Sequence, residues 1–266
     1  MNYVQLGYNA LALASVLVLA NAGLSLALNL GLTRRMLVAT VRMVVQLSLV
    51  GLVLKSLFAA ASPWLTAFVA LAMILFAGRE IMARQEKQFI GPWSYSLGTG
   101  SMLFAAALVT LFALTGPVRP DPWFDPRYAL PLLGMILGNT MTGISLGLHT
   151  LTTTLVRERA GVEAQLALGR PRNDAFRPAV QAALTSALMP IVNSMAATGL
   201  VALPGMMTGQ ILAGVDPAEA VKYQILIMFL IAGGTSLGAV VAVLGGAWRL
   251  SDPRHRLRLD RLKQNL

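Results

Sequence analysis

The chain has 266 residues, 56% of them hydrophobic and only 12% charged, with a mean hydropathy of +0.67. A soluble domain carries about 25% charged residues, so this chain cannot cover its own surface with polar groups and its solvent must be lipid. The formal charge of +10 then reads as a topology signal rather than a nucleic-acid footprint, and the lack of cysteine excludes disulfides, thiolate metal sites and thiol catalysis.

A helix needs ~20 mostly apolar residues to cross a bilayer. Seven stretches qualify: 8–32, 37–58, 62–83, 94–116, 129–156, 188–213 and 219–248. The first charged residue is Arg34, so no basic segment of the signal-peptide kind precedes the first span. In the second, Arg42 lies about 7.5 Å inside, with Gln46 one turn deeper. That depth lets Arg42 snorkel to the headgroups, or meet cargo or a gate. In the third, Glu80 and Arg84 are spaced for a local ion pair. The segment 116–131 holds five prolines beside Asp121 and Asp125, which suits a stiff solvated cap.

The fifth span carries Asn139, Thr142, Ser145, His149, Thr152 and Thr153. At about 100° per residue they share an arc of about 140°, with Gly134 and Gly138 on the same side. The pattern fits a tight helix–helix seam built on small residues, or a polar stripe along a pathway. After it, 157–178 is the one long connector between spans. Residues 157–168 favour a short helix, with Gly169 as its C-cap and Arg170-Pro171 as its stop. Such a helix can lie on the membrane surface or present itself to a partner.

In the sixth span Pro190, Pro204 and Gly205 predict a break or re-entrant piece at 203–209. Asn193, Met195, Thr198, Met206, Met207 and Gln210 surround that break. Carbonyls freed at a broken helix can coordinate ions; thioethers suit soft metals and amides harder ones. His149 is the one imidazole within the spans, and Met206 and Met207 are the one adjacent thioether pair. These three are the candidate metal ligands, and the fifth and sixth spans are expected to share a central cavity. Residues 251–266 form a basic tail.

Orientation follows from lysine and arginine in the loops. With the N-terminus outside, fifteen fall on inner segments, and only Arg119 and Arg127 lie outside. The tail is then cytoplasmic. Trp64, Trp93, Trp123, Trp248, Tyr3, Tyr8, Tyr95, Tyr128 and Tyr223 all lie near span ends, where amphipathic rings meet headgroups.

Energy is expected from elsewhere. None of the four lysines follows a glycine, so there is no P-loop. Nor does a carboxylate sit deep in a span, as proton coupling usually requires. The spans also lack a plausible catalytic triad or metal-ligand set for intramembrane catalysis.

Within the connector, Glu163-Ala164 followed by Gly169 resembles the EAA motif of ABC transporter permeases, with Gln165 where a second alanine is usual. VRMVVQLSLVG at 41–51, LGMILGNTMTG at 133–143, PIVNSMAATGLVALPGMMTGQILAG at 190–214 and AVKYQILIMF at 220–229 closely resemble the FetB family. That family comprises iron-export ABC permeases and includes plant aluminium-tolerance half-transporters. The resemblance implies an all-α integral membrane permease domain over 1–250, with a short cytoplasmic coupling helix between spans five and six. In that reading Glu163, Ala164, Gly169 and Arg170 meet a separate ATPase, which binds ATP and Mg; this chain holds no cofactor of its own. It further implies a homodimer in the inner membrane exporting iron or a related substrate. An ion- or proton-coupled secondary transporter and a non-transporting scaffold subunit are the competing classes. The charge bias makes a first prediction: a reporter fused after Leu266 is active only when it requires the cytoplasm, and activity restricted to the outside reverses the map.

Overall fold

The computed structural model describes residues 7–60 and 62–263, so Tyr3 and the end of the tail, 264–266, lie outside it. The chain folds as α1 (Tyr8–Ala27), α2 (Thr33–Ala60), α3 (Pro63–Ala83), α4 (Trp93–Thr115), α5 (Pro126–Arg157), α6 (Arg159–Ala167), α7 (Arg172–Ala197), α8 (Gly205–Leu212) and α9 (Pro217–Arg249). Seven of these, all but α6 and α8, are long and apolar enough to cross a membrane. The eight residues of α8 rise only about 12 Å against a hydrocarbon core of about 30 Å.

The sixth span differs from its sequence expectation. It begins at Arg172 rather than 188 and ends at Ala197, carrying Pro178 and Pro190 inside it. Its mean hydropathy of 1.2 is the lowest of the seven, and Arg172, Asn173, Asp174 and Arg177 occupy its first turns. A hydropathy reading therefore assigns those turns to the connector. Each proline removes one helical N–H donor without ending the helix. The break falls at 198–204, where Gly199 has φ +92°, and the expected irregular piece at 203–209 is mostly the helix α8.

Short polar side chains set two helix starts. Asp125 accepts the Arg127 N–H at the start of α5, and Asp216 accepts from Ala218 and Glu219 at the start of α9. Asp125 thus has a structural task in the proline-rich segment.

The centre of the bundle is α5, which packs against α9, α7, α4 and α3. In lipid the approach of helices rests on van der Waals contact and small residues. The glycines that permit it here are Gly143 and Gly147. A Cβ on Gly143 would stand 2.7 Å from Thr235 Cγ2 and 3.2 Å from the Ala187 carbonyl oxygen; one on Gly147 would stand 2.8 Å from Val243 Cγ2. Gly134 and Gly138 do not make the seam: a Cβ would meet one methyl carbon at 3.4 Å at Gly134, and nothing within 4 Å at Gly138. They lie on the half of α5 turned away from α7 and α9. The α1–α2 hairpin contributes little to this core, and none of the apolar window of α2 is buried.

The end holding Arg84, Arg157, Arg172 and Arg249 is the basic end. Here the tail is folded rather than loose. Leu262 bridges Phe89 in the α3–α4 loop, Ile90 N–H donates to the Arg261 carbonyl, and Lys263 N–H donates to that of Gln88. The buried Asp252 carboxylate accepts from the Arg256 and Arg254 backbone N–H groups and the Arg256 guanidinium. The Arg256 backbone bond, first among these, holds its carboxyl below the usual carboxylate range. The Arg258 guanidinium pairs with Asp260 through two bonds of 2.8 Å and lowers that carboxyl to about 2.

The two glycine classes should separate on mutation. Gly143→Ala forces overpacking at a backbone oxygen and should cost about 1–3 kcal/mol, whereas Gly138→Ala should be neutral or slightly stabilising through helix propensity. Thermal unfolding of the detergent-solubilised protein reads both; equal effects would remove the seam.

Candidate functional site

At the basic end, α6 touches the bundle through Val162, 6% exposed, and the half-buried Leu166. Glu163, Ala164, Gly169 and Arg170 are all exposed. Arg159 Nε donates to Glu163 Oε1 at 2.8 Å, a surface pair of the kind worth about 0–1 kcal/mol, which another cation can displace. Gly169, at φ +84°, ends the helix. Its N–H donates to the Leu166 carbonyl and that of Arg170 to the Gln165 carbonyl, a Schellman closure that needs a residue tolerating the left-handed region. The connector thus holds a C-capped helix of nine residues whose exposed face carries the Arg159–Glu163 pair, and it is shorter than the expected 157–168.

The tail clasp was not legible in sequence. Arg172 N–H, at the start of α7, donates to His255 Nδ1 at 3.1 Å, and Arg172 Nη1 donates to Ser251 Oγ at 3.2 Å. Arg261 Nη1 donates to the Arg249 carbonyl at 2.6 Å, and the Arg249 guanidinium lies 4.6 Å from the centre of the Trp93 ring. The segment that follows α6 is therefore tied to the end of α9.

The polar arc of α5 divides. Ser145 and Thr152 turn into the core, while Asn139 is exposed and Thr142, His149 and Thr153 are half-buried. The Asn139 amide and the Thr142 and Thr153 hydroxyls donate back to carbonyls one turn earlier, on Met135, Gly138 and His149. Both hydroxyl donors and one of the two amide N–H groups are thus occupied, and their oxygens remain as acceptors. The His149 ring has no hydrogen-bond partner among the described residues. An arc of α5 beside the glycine seam thus offers one half-buried imidazole and several oxygen acceptors.

The methionines lie elsewhere. A recess of about 410 Å³ between α7, α8 and α9 is lined by Met195, Thr198, Met207, Gln224 and Met228 among apolar neighbours. Gln224 is 7% exposed and its Oε1 has no partner; sequence reasoning missed it and Met228 because α9 reads as uniformly apolar. Met206 and Asn193 are exposed and do not line this recess. The Gln210 Oε1 is buried without a partner on α8, outside the same lining.

His149, Met206 and Met207 do not form one ligand set. Gly147 sits against Val243, whereas Met207 shares its recess with Met228. From 228 to 243 α9 rises about 22 Å. The single cavity expected for these residues resolves into two places near opposite ends of the bundle.

Arg42 and Gln46 line a third recess, of about 520 Å³, with Arg35, Glu80 and Arg84. Glu80 pairs with Arg42 across α2 and α3, not with Arg84 along its own helix. Arg42 is thus half-exposed and paired rather than simply reaching for headgroups.

Residues 8–250 match the Uncharacterised protein family UPF0014. A UPF0014 membrane protein of Synechocystis is 37% identical over 86% of this chain and 87% of its own. The probable iron export permease protein FetB of Escherichia coli is 31% identical over 99% of this chain and 100% of its own. Protein ALUMINUM SENSITIVE 3 of Arabidopsis thaliana is 31% identical over 87% and 82%. No solved structure matches. Seven apolar helices and agreement over nearly the whole length make this chain a multi-pass membrane protein belonging to the UPF0014 family, among whose members is FetB of Escherichia coli.

Proposed function

We propose that this chain is the membrane-embedded permease subunit of an ATP-driven exporter of iron or a related metal ion. The observation that carries the reading is end-to-end similarity to a protein named a probable iron export permease. The exposed, capped helix α6 supports it, offering Glu163 to a partner without disturbing the bundle. A separate ATPase would bind ATP and Mg and dock on α6 at Glu163, Ala164, Gly169 and Arg170. The basic end is then cytoplasmic, and the membrane is the cell's inner membrane.

The open polar face of α5 is the best candidate for the cargo path. A second copy of this chain facing it would enclose a conduit lined by Asn139, Thr142 and His149. Imidazole with amide and hydroxyl oxygens suits iron-like divalent ions, whereas the thioethers of Met195, Met207 and Met228 suit softer ones. The level of His149 lies about 22 Å from the methionine recess along the bundle, so the two would act at successive points along the path. Arg42 with Glu80 forms a further candidate contact, for a gate. A proton-coupled mechanism is less well supported: among the described residues the one fully buried acid is Asp252, beyond the last span.

Charge reversal at a docked contact costs several kcal/mol. Glu163→Lys should therefore abolish copurification with the ATPase while leaving thermal unfolding of the permease unchanged. Full transport by that variant would reduce α6 to a connector. For the path, His149→Ala should weaken metal-stimulated ATP hydrolysis, raising the half-saturating metal concentration roughly tenfold or more, with folding intact because the ring makes no hydrogen bond. An unchanged metal dependence would take the imidazole out of the mechanism.

A further inference from the structure

Between α7 and α9 at the basic end lies a recess of about 310 Å³. Its rim is polar: Arg172, Asn173 and Arg177 come from the first turns of α7, and Ser251 from the clasp. Its walls are apolar, with Val180 on α7 and Leu244 and Trp248 on α9. From 172 to 180 the lining descends about 12 Å along α7, from guanidinium to isopropyl. On α9, which runs the other way, it rises from Leu244 through Trp248 to the Ser251 hydroxyl. Two antiparallel helices thus build the same gradient of polarity, and it is the gradient of a phospholipid.

The charge at the rim is uncompensated. Arg177 is exposed and makes no ion pair among the described residues. Arg172 is held by the clasp through one side-chain bond to Ser251 Oγ and its backbone bond to His255 Nδ1, so most of its guanidinium N–H groups remain free. Asp174, the one acid in the first turn of α7, does not line the recess. Asp252 and Asp260 are committed to Arg256 and Arg258. Trp248 is braced from behind by Trp93, ring centres 6.2 Å apart, and is 59% exposed, so the groove opens to the surrounding lipid. Basic pockets between spanning helices are suited to anionic headgroups.

We propose that this recess binds one anionic phospholipid. Its headgroup phosphate is held by Arg172 and Arg177, and an acyl chain lies along Val180, Leu244 and Trp248. The apolar wall distinguishes a lipid from free phosphate, which would use the rim alone. Because the lipid contacts both α7 and the clasp, its presence also stiffens the segment that follows α6.

The test titrates the full-length detergent-solubilised chain with phosphatidylglycerol, with phosphatidylcholine and with inorganic phosphate, reading bound lipid by native mass spectrometry. Wild type should retain one phosphatidylglycerol with a preference over phosphatidylcholine that falls about fivefold in Arg177→Ala and about thirtyfold in the Arg172→Ala, Arg177→Ala pair. Arg177 is exposed and its side chain makes no hydrogen bond or ion pair among the described residues, so its single variant keeps the test decisive if the pair fails to fold. Arg34→Ala, at an exposed arginine outside the recess, should keep the wild-type preference. Equal retention of the two lipids by wild type overturns the proposal. So does an undiminished preference in Arg177→Ala, or displacement of the lipid by inorganic phosphate at comparable concentration. None of these readouts depends on an ATPase or on transport.

Discussion

The arrangement rests on one close approach, that of α5 to α7 and α9. Gly143 and Gly147 face Thr235, Val243 and the backbone of α7 at distances a methyl group would violate. Gly234 and Gly238 on α9 receive Ile136 and Thr140 of α5 in the same way. Lipid tails are as apolar as leucine, so no hydrophobic force draws spanning helices together. What remains is dispersion between surfaces that fit, and only the absence of a Cβ lets these surfaces fit. With α7 and α9 on this seam and α3 and α4 on its flank, α5 keeps only a narrow arc, with Asn139, Thr142 and His149, partly exposed.

The same constraint orders the two ends. At one end the α7–α9 connection is loosened by Gly199 and returns through α8, leaving a methionine-lined recess with an unpartnered Gln224 carbonyl. At the other, the tail closes over the α3–α4 loop and the start of α7. That closure is polar and local: a carboxylate held by backbone N–H groups, an arginine on a carbonyl, and an arginine over an indole. Hydrogen bonds to charged groups contribute about 1.5–3 kcal/mol each, less where solvent reaches them. With the bonds of Arg172 to His255 and Ser251 they join the residues after α6 to the end of α9, the helix most closely packed on α5. A displacement of α6 would therefore be delivered to the centre of the bundle rather than lost in a flexible linker.

The α1–α2 hairpin contrasts with this core. Almost none of its surface is covered by the rest of the chain, and the Arg42–Glu80 pair is its polar tie to α3. An ion pair at a membrane helix surface is stronger than in water because less solvent competes for it. It holds the hairpin in place while leaving its apolar faces to lipid or to another subunit.

Much of this was legible in the chain itself. The number of spans, their positions to within a turn or so for six of the seven, and the aromatic residues at their ends follow from hydropathy, since each depends on one residue's partition between water and lipid. The end of α6 at Gly169 was legible too, because a left-handed cap is a local backbone requirement. The family also followed from the residues, since long stretches of sequence carry it. The start of α7 was hidden by four polar residues, Arg172, Asn173, Asp174 and Arg177, that a helix tolerates at its entry. Which glycines make the seam depended on the partner helix, since Gly138 and Gly143 look alike until α9 is placed against one of them. Glu80 had an arginine four residues away in sequence, yet Arg42 of another helix reached it. His149 and Met207 seemed suited to one metal, but depth along the bundle is set by how helices stack, and it put them at opposite ends. The clasp, the Gln224 recess and the basic groove between α7 and α9 are likewise decisions of tertiary structure: each joins residues from separate helices or loops, and no spacing along the chain encodes such a meeting.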